Sequence, residues 1–452
     1  MSCETVISGR RALRRRPVLA AVALACALVA GCAPLPRLNA VPSQEASNVT
    51  VLGLSDIRYW GDEDSPDLVN EGKAAYDREL SAFRKAGENG PLPPANYLAI
   101  SGGGEDGAFG AGLLVGWTAS GTRPQFKLVT GISTGALIAP FAFLGPRYDA
   151  QLRAVYTTIS GKDVLEPRWL TAVLTEDALA SNDPLRRTMA RYVTQSMLDD
   201  IAAAYAQGRL LLIGTTDLDQ GRPVIWNIGK LAASHRPGAL KLVQDILIAS
   251  AAIPGAFPPV MIDVQADGRT YQEMHVDGGA SAQVFVYPPS LELNSAARNA
   301  GVVRERHLYV IRNARLDPKW AQIKRRTLNI VQRAVSSLIQ TQGIGDLYRI
   351  YVAAGRDKID FNLASIPETF TTELKQPFDT AYMNALFKLG YTLGAKGYPW
   401  AKFPPGYREL GAGPTLSTSA VPEGRSAQAA DRLGDSTALV DADDRRLAAA
   451  AE

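Results

Sequence analysis

Residues 96–110 read NYLAISGGGEDGAFG, an apolar run followed by a cluster of glycines and then by a second apolar stretch. The pattern predicts a strand at 96–101, a helix at 108–119 and a glycine loop between them. Glycine lets successive backbone N–H groups point at one anion, and the first turn of a helix favours negative charge. We therefore expect an anion-stabilising loop whose donors are Gly102, Gly103 and Gly104, with Gly107 at the start of the helix.

The same letters also contain G-x-G-x-x-G, as Gly102, Gly104 and Gly107, which makes dinucleotide binding an alternative. That motif expects an acidic residue for the ribose about 20 residues further on. The next strand ends instead in TGISTG at 130–135, and Glu105 and Asp106 would repel a pyrophosphate. These features argue against a nucleotide site.

A second glycine signal surrounds Ser133, in the pattern Gly131-Ile132-Ser133-Thr134-Gly135. Glycines two residues before and after a serine permit a sharp strand-to-helix turn that exposes its hydroxyl. Gly104 and Ser133 are 29 positions apart (133 minus 104), about one βαβ unit. The loop and the serine should then lie at the carboxyl ends of neighbouring parallel strands, where open α/β sheets bind ligands. Ser133 is the candidate nucleophile.

The candidate base is a carboxylate, because the three histidines fit poorly. His235 is predicted in a loop, and His307 at the amino end of a strand, the wrong edge for this site. Asp277 in Val276-Asp277-Gly278-Gly279 ends an extended segment and can take the serine proton directly. His275 would share the strand face of Asp277, either tuning the site or simply packing in the core.

Apolar β-rich runs alternate with helical stretches along the chain and predict a three-layer α/β/α domain with a mainly parallel central sheet. Further strands are predicted at 126–131, 210–215, 223–228, 259–264, 271–276 and 307–312, and helices near 70–86, 134–143, 149–160, 184–206, 240–252 and 290–300. The domain boundaries predicted from this pattern are 51–95 for an N-terminal extension, 96–315 for the α/β domain, 316–414 for a helical C-terminal region and 415–452 for a disordered tail.

The chain has 452 residues with 46% apolar residues, a net charge of +3 and three cysteines. This composition excludes collagen-like, disulfide-scaffold and wholly disordered classes, and it gives no reason to expect nucleic-acid binding. Arginines precede an apolar run at 18–30 and then Gly31-Cys32, which predicts a lipoprotein signal peptide at 1–31, a lipid-modified Cys32 and a tether at 32–50. We expect attachment to the bacterial envelope, at the outer membrane. No oligomeric state is predicted.

Taken in order, the glycine loop, G-x-S-x-G, the segment 249–259 (ASAAIPGAFPP) and Asp277-Gly278-Gly279 resemble the patatin-like phospholipase family. The resemblance implies a Ser133–Asp277 dyad that hydrolyses membrane lipids or other acyl esters through a covalent acyl-enzyme. It implies oxyanion stabilisation by Gly102, Gly103 and Gly104, and it requires no metal and no cofactor.

Two acidic pairs and one different function class remain open. Many family members carry Lys or Arg before the last loop glycine, whereas this chain has Glu105-Asp106, which would disfavour anionic headgroups or would simply be a solvated first helical turn. Asp217 and Asp219 are either metal ligands or, as we favour, turn residues. The alternative to an enzyme is a non-catalytic envelope lipoprotein that binds lipid or protein through the same fold.

Overall fold

A computed structural model describes residues 35–167, 177–299, 301–318 and 320–407. Five parallel strands form the centre of its main sheet, in the order β6-β3-β2-β10-β11. Beyond β6 the sheet continues with antiparallel β7 and β1, and β9 also pairs antiparallel with β6 and carries β8 at its outer side. The strands are β1 Arg58–Trp60, β2 Ala95–Ile100, β3 Phe126–Ile132, β4 Glu166–Pro167, β5 Ala180–Ser181, β6 Leu210–Asp217, β7 Arg222–Asn227, β8 Val260–Ala266, β9 Arg269–Asp277, β10 Arg306–Arg315 and β11 Asp360–Ile366.

Helices cover both faces of this sheet. They are α1 Pro66–Lys85, α2 Gly107–Ala119, α3 Thr134–Leu144, α4 Asp149–Thr158, α5 Gly161–Val164, α6 Asp183–Tyr192, α7 Gln195–Ala206, α8 Ile228–Ala233, α9 Ala239–Ser250, α10 Leu293–Asn299, α11 Thr327–Arg356 and α12 Thr380–Ala395. Along β2, Leu98 and Ile100 belong to the larger apolar core on one face, while Ala99 belongs to the smaller core on the other. This alternation is the three-layer α/β/α arrangement that the sequence predicts, with a mostly parallel sheet. In the described part of the chain, no helix is long and apolar enough to cross a bilayer.

The predicted strands are all present, with ends that differ by a few residues, and one predicted helix divides in two. The stretch 184–206 forms α6 and α7, because Val193 leaves helical geometry and Thr194 begins a new helix. The Thr194 side chain accepts a hydrogen bond from the Met197 N–H at 3.4 Å, which is an N-cap.

The predicted tether at 32–50 is wrong for its described part, residues 35–50. Val41 and Val49 are buried in the larger core, and Thr50 exchanges backbone hydrogen bonds with Gln265 of β8 at 2.8 and 2.9 Å. Arg37 forms an ion pair with Asp219, just beyond the end of β6. The prolines and polar residues suggested a linker, but the scattered apolar residues find a surface to cover. Within the extension 51–95, β1 joins the sheet beside β7.

The C-terminal region is not purely helical, which corrects the prediction for 316–414. Strand β11 pairs in parallel with β10 and extends the sheet beyond residue 315. Helix α12 packs closely on α2, because a Cβ atom on Gly112 would lie 2.1 Å from the Phe387 carbonyl oxygen, and one on Gly390 would lie 2.3 Å from that of Phe109. Only glycine permits this approach, so α12 is an integral part of the domain. The predicted signal peptide, Cys32 and the predicted tail at 415–452 lie outside the described residues.

Candidate active site

Ser133 stands between β3 and α3 in a strained backbone conformation, with φ of 56° and ψ of −128°. A Cβ atom on Gly131 would lie 2.5 Å from the Gly135 carbonyl oxygen, and one on Gly135 would lie 2.2 Å from that of Ile100. Both glycines are therefore required for the tight turn, as in a nucleophile elbow. The Ser133 N–H donates to Ser250 Oγ at 3.0 Å, and that hydroxyl donates to the Gly214 carbonyl at 2.6 Å.

Ser250 is a positioning residue that the sequence reasoning missed. Ser250 belongs to the segment 249–259, which the sequence analysis uses only for the family resemblance and to whose side chains it assigns no physical role. The structure supplies that role, because the Ser250 hydroxyl ties the turn at Ser133 to β6.

Asp277 lies at the end of β9, opposite Thr215 of β6, and its carboxyl group is close enough to the Ser133 hydroxyl for that hydroxyl to lower its pKa. The carboxylate accepts from the Gly279 N–H at 2.7 Å. Burial raises the pKa of Asp277 to about 7, while the Ser133 hydroxyl and the Gly279 N–H act in the opposite direction. A carboxyl group that titrates near neutral pH is well matched to accept and return a proton.

The glycine loop lies against the same serine. Gly103 and Gly104 have φ values of 157° and 58°, and a Cβ atom on Gly103 would lie 2.1 Å from the Asn313 carbonyl oxygen. A Cβ atom on Gly102 would lie 3.8 Å from Ser133 Oγ, which places the loop directly beside the hydroxyl. However, the Gly102 N–H donates to the Gln283 carbonyl at 3.0 Å. The prediction that Gly102 is an oxyanion donor is therefore wrong in this state, and Gly103 and Gly104 are the candidates that remain.

Buried polar residues at the end of β10 hold this loop in place. Arg312 Nη1 donates to Ser101 Oγ at 3.1 Å and to the Gly102 carbonyl at 3.2 Å. Asn313 Nδ2 donates to the Ser101 carbonyl at 3.0 Å, and Asn313 Oδ1 accepts from the Gly110 N–H at 3.1 Å. Burial lowers the pKa of Arg312 to about 10. The sequence signal was an Arg-Asn pair that ends an apolar strand, and it went unnoticed.

The other motif glycines serve close packing around the dyad. A Cβ atom on Gly107 would lie 2.2 Å from Thr134 Oγ1, and one on Gly278 would lie 2.6 Å from the Gly214 carbonyl oxygen. A Cβ atom on Gly279 would lie 3.0 Å from Asp277 Oδ1. The contacts at Gly107 and Gly278 are closer than a side chain would allow, and the contact at Gly279 is tight.

A small apolar cavity of about 60 Å³ opens beside Ser133. Most of its walls are aliphatic or aromatic, including Leu137, Tyr156, Ile159, Leu185, Met189, Ile253, Phe257 and Phe378. A larger cavity of about 610 Å³ on the other face of the sheet includes Gly278 and Phe285 but neither Ser133 nor Asp277. The smaller cavity is therefore the one that can receive an apolar group attached to a carbonyl at Ser133.

The acidic pair in the loop is more constrained than a solvated helical turn would be. Asp106 Oδ1 accepts a hydrogen bond from the Tyr382 hydroxyl at 2.5 Å. Glu105 lines the cavity with Ser133, and burial raises its pKa. Glu105 is thus the acidic side chain placed to influence what binds next to the serine.

His275 is fully buried and packs against Trp226, with ring centroids 5.4 Å apart. Its Nδ1 lies 3.0 Å from Thr215 Oγ1, and its Nε2 lies 3.1 Å from Glu273 Oε2. Both ring nitrogens thus have partners away from Ser133, so of the two alternatives for His275, packing in the core describes it better than tuning the site. His235 follows α8 with a φ of 48°, and His307 at the start of β10 contacts Asp360 at the amino edge of the sheet.

Asp217 does form the predicted turn, since its Oδ1 accepts from the N–H groups of Asp219 at 2.9 Å and Gln220 at 3.4 Å. Ligand atoms of Asp217, Glu273 and His275 also lie within 4.8 Å of one another and could hold a metal ion. Asp217 Oδ2 and Glu273 Oε1 are buried and have no hydrogen-bond partner among the described residues. Asp219 is not in this group and pairs with Arg37 instead.

The sequence profile of the family described as patatin-like phospholipase matches residues 98–288, which include the loop, Ser133 and Asp277. Residues 98–288 form a patatin-like phospholipase domain. This assignment supports a lipid hydrolase. Among curated proteins, none matches the chain.

Three solved structures are similar to parts of the chain. VipD from Legionella pneumophila is 9% identical, with 68% of this chain and 66% of that chain covered and a TM-score of 0.33. Human GIVD cytosolic phospholipase A2 is 10% identical, with 62% and 51% covered and a TM-score of 0.27. The type III effector protein ExoU is 14% identical, with 68% and 53% covered and a TM-score of 0.20. This chain thus spans about half to two thirds of the length of these proteins.

Proposed function

We propose that the patatin-like domain is a serine acyl hydrolase that cleaves ester bonds of membrane lipids or related acyl esters. One observation carries the proposal: the Ser133 hydroxyl, the buried Asp277 carboxyl group and the glycine loop lie next to one another. A nucleophile, a base and backbone donors then surround one point in space. The adjacent apolar cavity supplies a place for the apolar carbons next to the ester carbonyl.

In the first half of the reaction, Ser133 Oγ attacks the ester carbonyl carbon while Asp277 takes the hydroxyl proton. The carbonyl oxygen becomes an oxyanion, which the N–H groups of Gly103 and Gly104 stabilise. The ester C–O bond then breaks, the leaving alcohol recovers the proton from Asp277, and the acyl group stays on Ser133. Backbone donors fixed in advance are effective because they need no reorganisation when charge develops.

In the second half, a water molecule gives a proton to Asp277 and attacks the acyl carbonyl. The second oxyanion collapses, the bond to Ser133 Oγ breaks, and the proton returns to that oxygen. The products are a fatty acid and the free enzyme. The chemistry needs only a carboxyl group that changes its protonation state near neutral pH, which matches Asp277.

We further propose that the enzyme works at the bacterial cell envelope, anchored through a lipid on Cys32. Arg37, five residues beyond this cysteine, contacts Asp219 just past the carboxyl end of β6. Ser133 follows the carboxyl end of β3, which runs parallel to β6. An anchor at this position would hold the site on the membrane side of the domain.

The test uses residues 33–452, which retain every described element. The protein is treated with a fluorophosphonate probe and assayed on a short-chain nitrophenyl ester and on phospholipid vesicles. We expect covalent labelling of Ser133 and ester hydrolysis, both absent in Ser133→Ala. A folded protein that shows neither property would support the non-catalytic envelope lipoprotein instead.

We also propose that the acidic loop influences which lipid headgroup the enzyme accepts. Glu105 lies at the cavity, so a negatively charged headgroup near Ser133 would be repelled whenever this side chain is ionised. We expect Glu105→Gln to raise the rate on phosphatidylglycerol relative to phosphatidylcholine. Equal rates before and after the substitution would remove Glu105 from substrate choice.

A further inference from the structure

Helix α11 has an apolar face that its own domain does not cover. Val331, Val335 and Leu338 are spaced four and three residues apart, so they lie within about 60° of one another around the helix. All three are exposed, Leu338 by 70%, and Ile339 beside them is exposed by 40%. Asn329 and Ser336 lie on the opposite side of the helix, about 140–160° from Val331. The first half of α11 is thus an amphipathic helix whose apolar side faces solvent.

Positive charge and an exposed tryptophan precede this helix. Lys324, Arg325 and Arg326 are consecutive and exposed, and Trp320 is exposed by 84%. Basic residues, a tryptophan and an apolar helical face together are typical of a helix that lies in a membrane interface. Basic side chains gain from anionic headgroups, and the apolar side chains leave water for the acyl boundary.

The second half of the same helix reaches the proposed active site. Gln342 Nε2 donates to the Ser281 carbonyl at 2.8 Å, and Gln342 Oε1 accepts from Gln283 Nε2 at 3.1 Å. The Gln283 carbonyl in turn accepts the Gly102 N–H of the glycine loop. Leu338 is about one helical turn from Gln342. The apolar face therefore begins next to the loop that flanks Ser133.

The topology places these features on one edge of the sheet. Strands β3 and β10 run in the same direction, and the segments that leave their carboxyl ends carry Ser133 and lead into α11. Arg37 lies beyond the carboxyl end of β6, which is parallel to β3. A flat surface that met this edge would contact the apolar face and the segment that carries Ser133 on the same side of the domain.

We infer that Trp320, Lys324–Arg326 and the face Val331–Val335–Leu338 form a docking surface for a lipid bilayer that contains anionic lipids. Docked this way, the enzyme receives an ester from the membrane at Ser133 without releasing it into water. The inference rests on the proposed lipid hydrolase, and the bilayer is favoured over a protein partner because basic, aromatic and apolar residues occur together on one exposed segment. Attraction to the surface and headgroup choice at Glu105 are separate effects.

The experiment measures the binding of residues 33–452 to sedimented vesicles of phosphatidylcholine, with and without 30% phosphatidylglycerol. The variant Val331→Glu/Leu338→Glu should bind both kinds of vesicle at least about 10-fold more weakly. Its matched control, Asn329→Glu/Ser336→Glu, adds the same charge on the opposite side and should stay within about twofold of the parent. Changing Lys324, Arg325 and Arg326 to Gln should weaken binding about 10-fold or more only where phosphatidylglycerol is present.

Hydrolysis of a soluble nitrophenyl ester is measured in parallel and should be the same in all variants, since these side chains lie outside the reacting groups. Vesicle binding that persists in a protein without hydrolase activity would support the surface and remove the proposed function. Equal binding by the parent and the apolar-face variant would overturn the inference. So would a parent dimer that Leu338→Glu converts to a monomer and that binds no vesicles, because a second copy would then cover the face.

Discussion

Two buried carboxylates on adjacent strands, Asp277 of β9 and Asp217 of β6, differ in what they face. In the β6–β9 pairing Asp277 stands opposite Thr215, and Asp217 stands opposite His275. Burial raises the pKa of both. Asp277 lies beside the Ser133 hydroxyl, whereas Asp217 caps a turn and lies beside an imidazole whose two nitrogens already have partners.

This difference teaches that burial alone does not make a carboxylate a candidate base. Both groups are buried and have a raised pKa, but only Asp277 lies beside a nucleophile. It also explains why a histidine close in sequence to Asp277 is not the obvious proton acceptor. A candidate base is recognised by its contact with the nucleophile and by a hydrogen-bonding position that no other group occupies, not by its residue type.

The largest expected effect is on activity, which substitution of Asp277 should abolish and substitution of Asp217 should largely preserve. Ser133→Ala and Asp277→Asn should each lower kcat/KM for a nitrophenyl ester by at least about 1,000-fold, because nucleophile and base act as a unit. His275→Gln and Asp217→Asn should stay within about 10-fold of the parent. Steady-state rates are compared for proteins with matched circular dichroism, and substantial activity in Asp277→Asn would reject the dyad.

Substitutions in the glycine loop beside Ser133 should have the next largest effect on activity. Gly103→Ala should reduce kcat/KM by about 100-fold or more, because its Cβ atom would collide with the Asn313 carbonyl and displace an oxyanion donor. Gly104→Ala keeps the N–H group and meets open space, so only its left-handed backbone is strained, at a cost of about 1 kcal/mol. Its activity should fall by less than 10-fold. The reverse order would place the oxyanion elsewhere.

The pH profile should report Asp277 and not His275. Asp277 must be ionised to accept the proton, so kcat/KM should rise with pH and level off above a midpoint near 7. At pH 5 the rate should be roughly 100-fold below the plateau, as one protonation predicts. A midpoint that moves by more than about one pH unit in His275→Gln would show that the histidine takes part.

Stability should respond to Asp277 in the opposite sense from activity. Its folded pKa of about 7 exceeds the ordinary value of 3.8, so the folded state loses stability as pH rises through this window. Asp277→Asn removes that cost and should stabilise the protein by more than about 1 kcal/mol at pH 8, and by less at pH 5. Chemical unfolding at both values measures this, and an equal effect at both would contradict it.

Asp217→Asn should give the smallest change. The amide keeps the oxygen that accepts from Asp219 and Gln220, and it removes a carboxyl group whose burial disfavours its charged form. Unfolding free energy should be unchanged or higher, by up to about 1 kcal/mol. A loss of more than about 2 kcal/mol, together with zinc or another metal in the purified protein, would show that Asp217, Glu273 and His275 hold an ion.

Much of the layout around the serine could be predicted because it depends on short segments. The turn at Ser133 needs small residues on both sides, and the glycine loop needs residues that tolerate unusual backbone angles, so both leave marks in the sequence. The order of strands and helices followed from apolar periodicity in the same way. The tether at 35–50 and the helical C-terminal region were misjudged because their residues are stabilised by surfaces that come from elsewhere in the chain.

By itself, the sequence determined the mostly parallel α/β fold, the family and the identity of Ser133, Asp277 and the loop glycines as the residues to examine. Only the tertiary structure decided that Gly102 gives its N–H to Gln283, that Ser250, Arg312 and Asn313 hold the site, and that α11 leaves an apolar face uncovered. The physical reason is range. Backbone strain and periodicity act over a few residues, whereas these contacts join positions tens to hundreds of residues apart and exist only once the layers have packed.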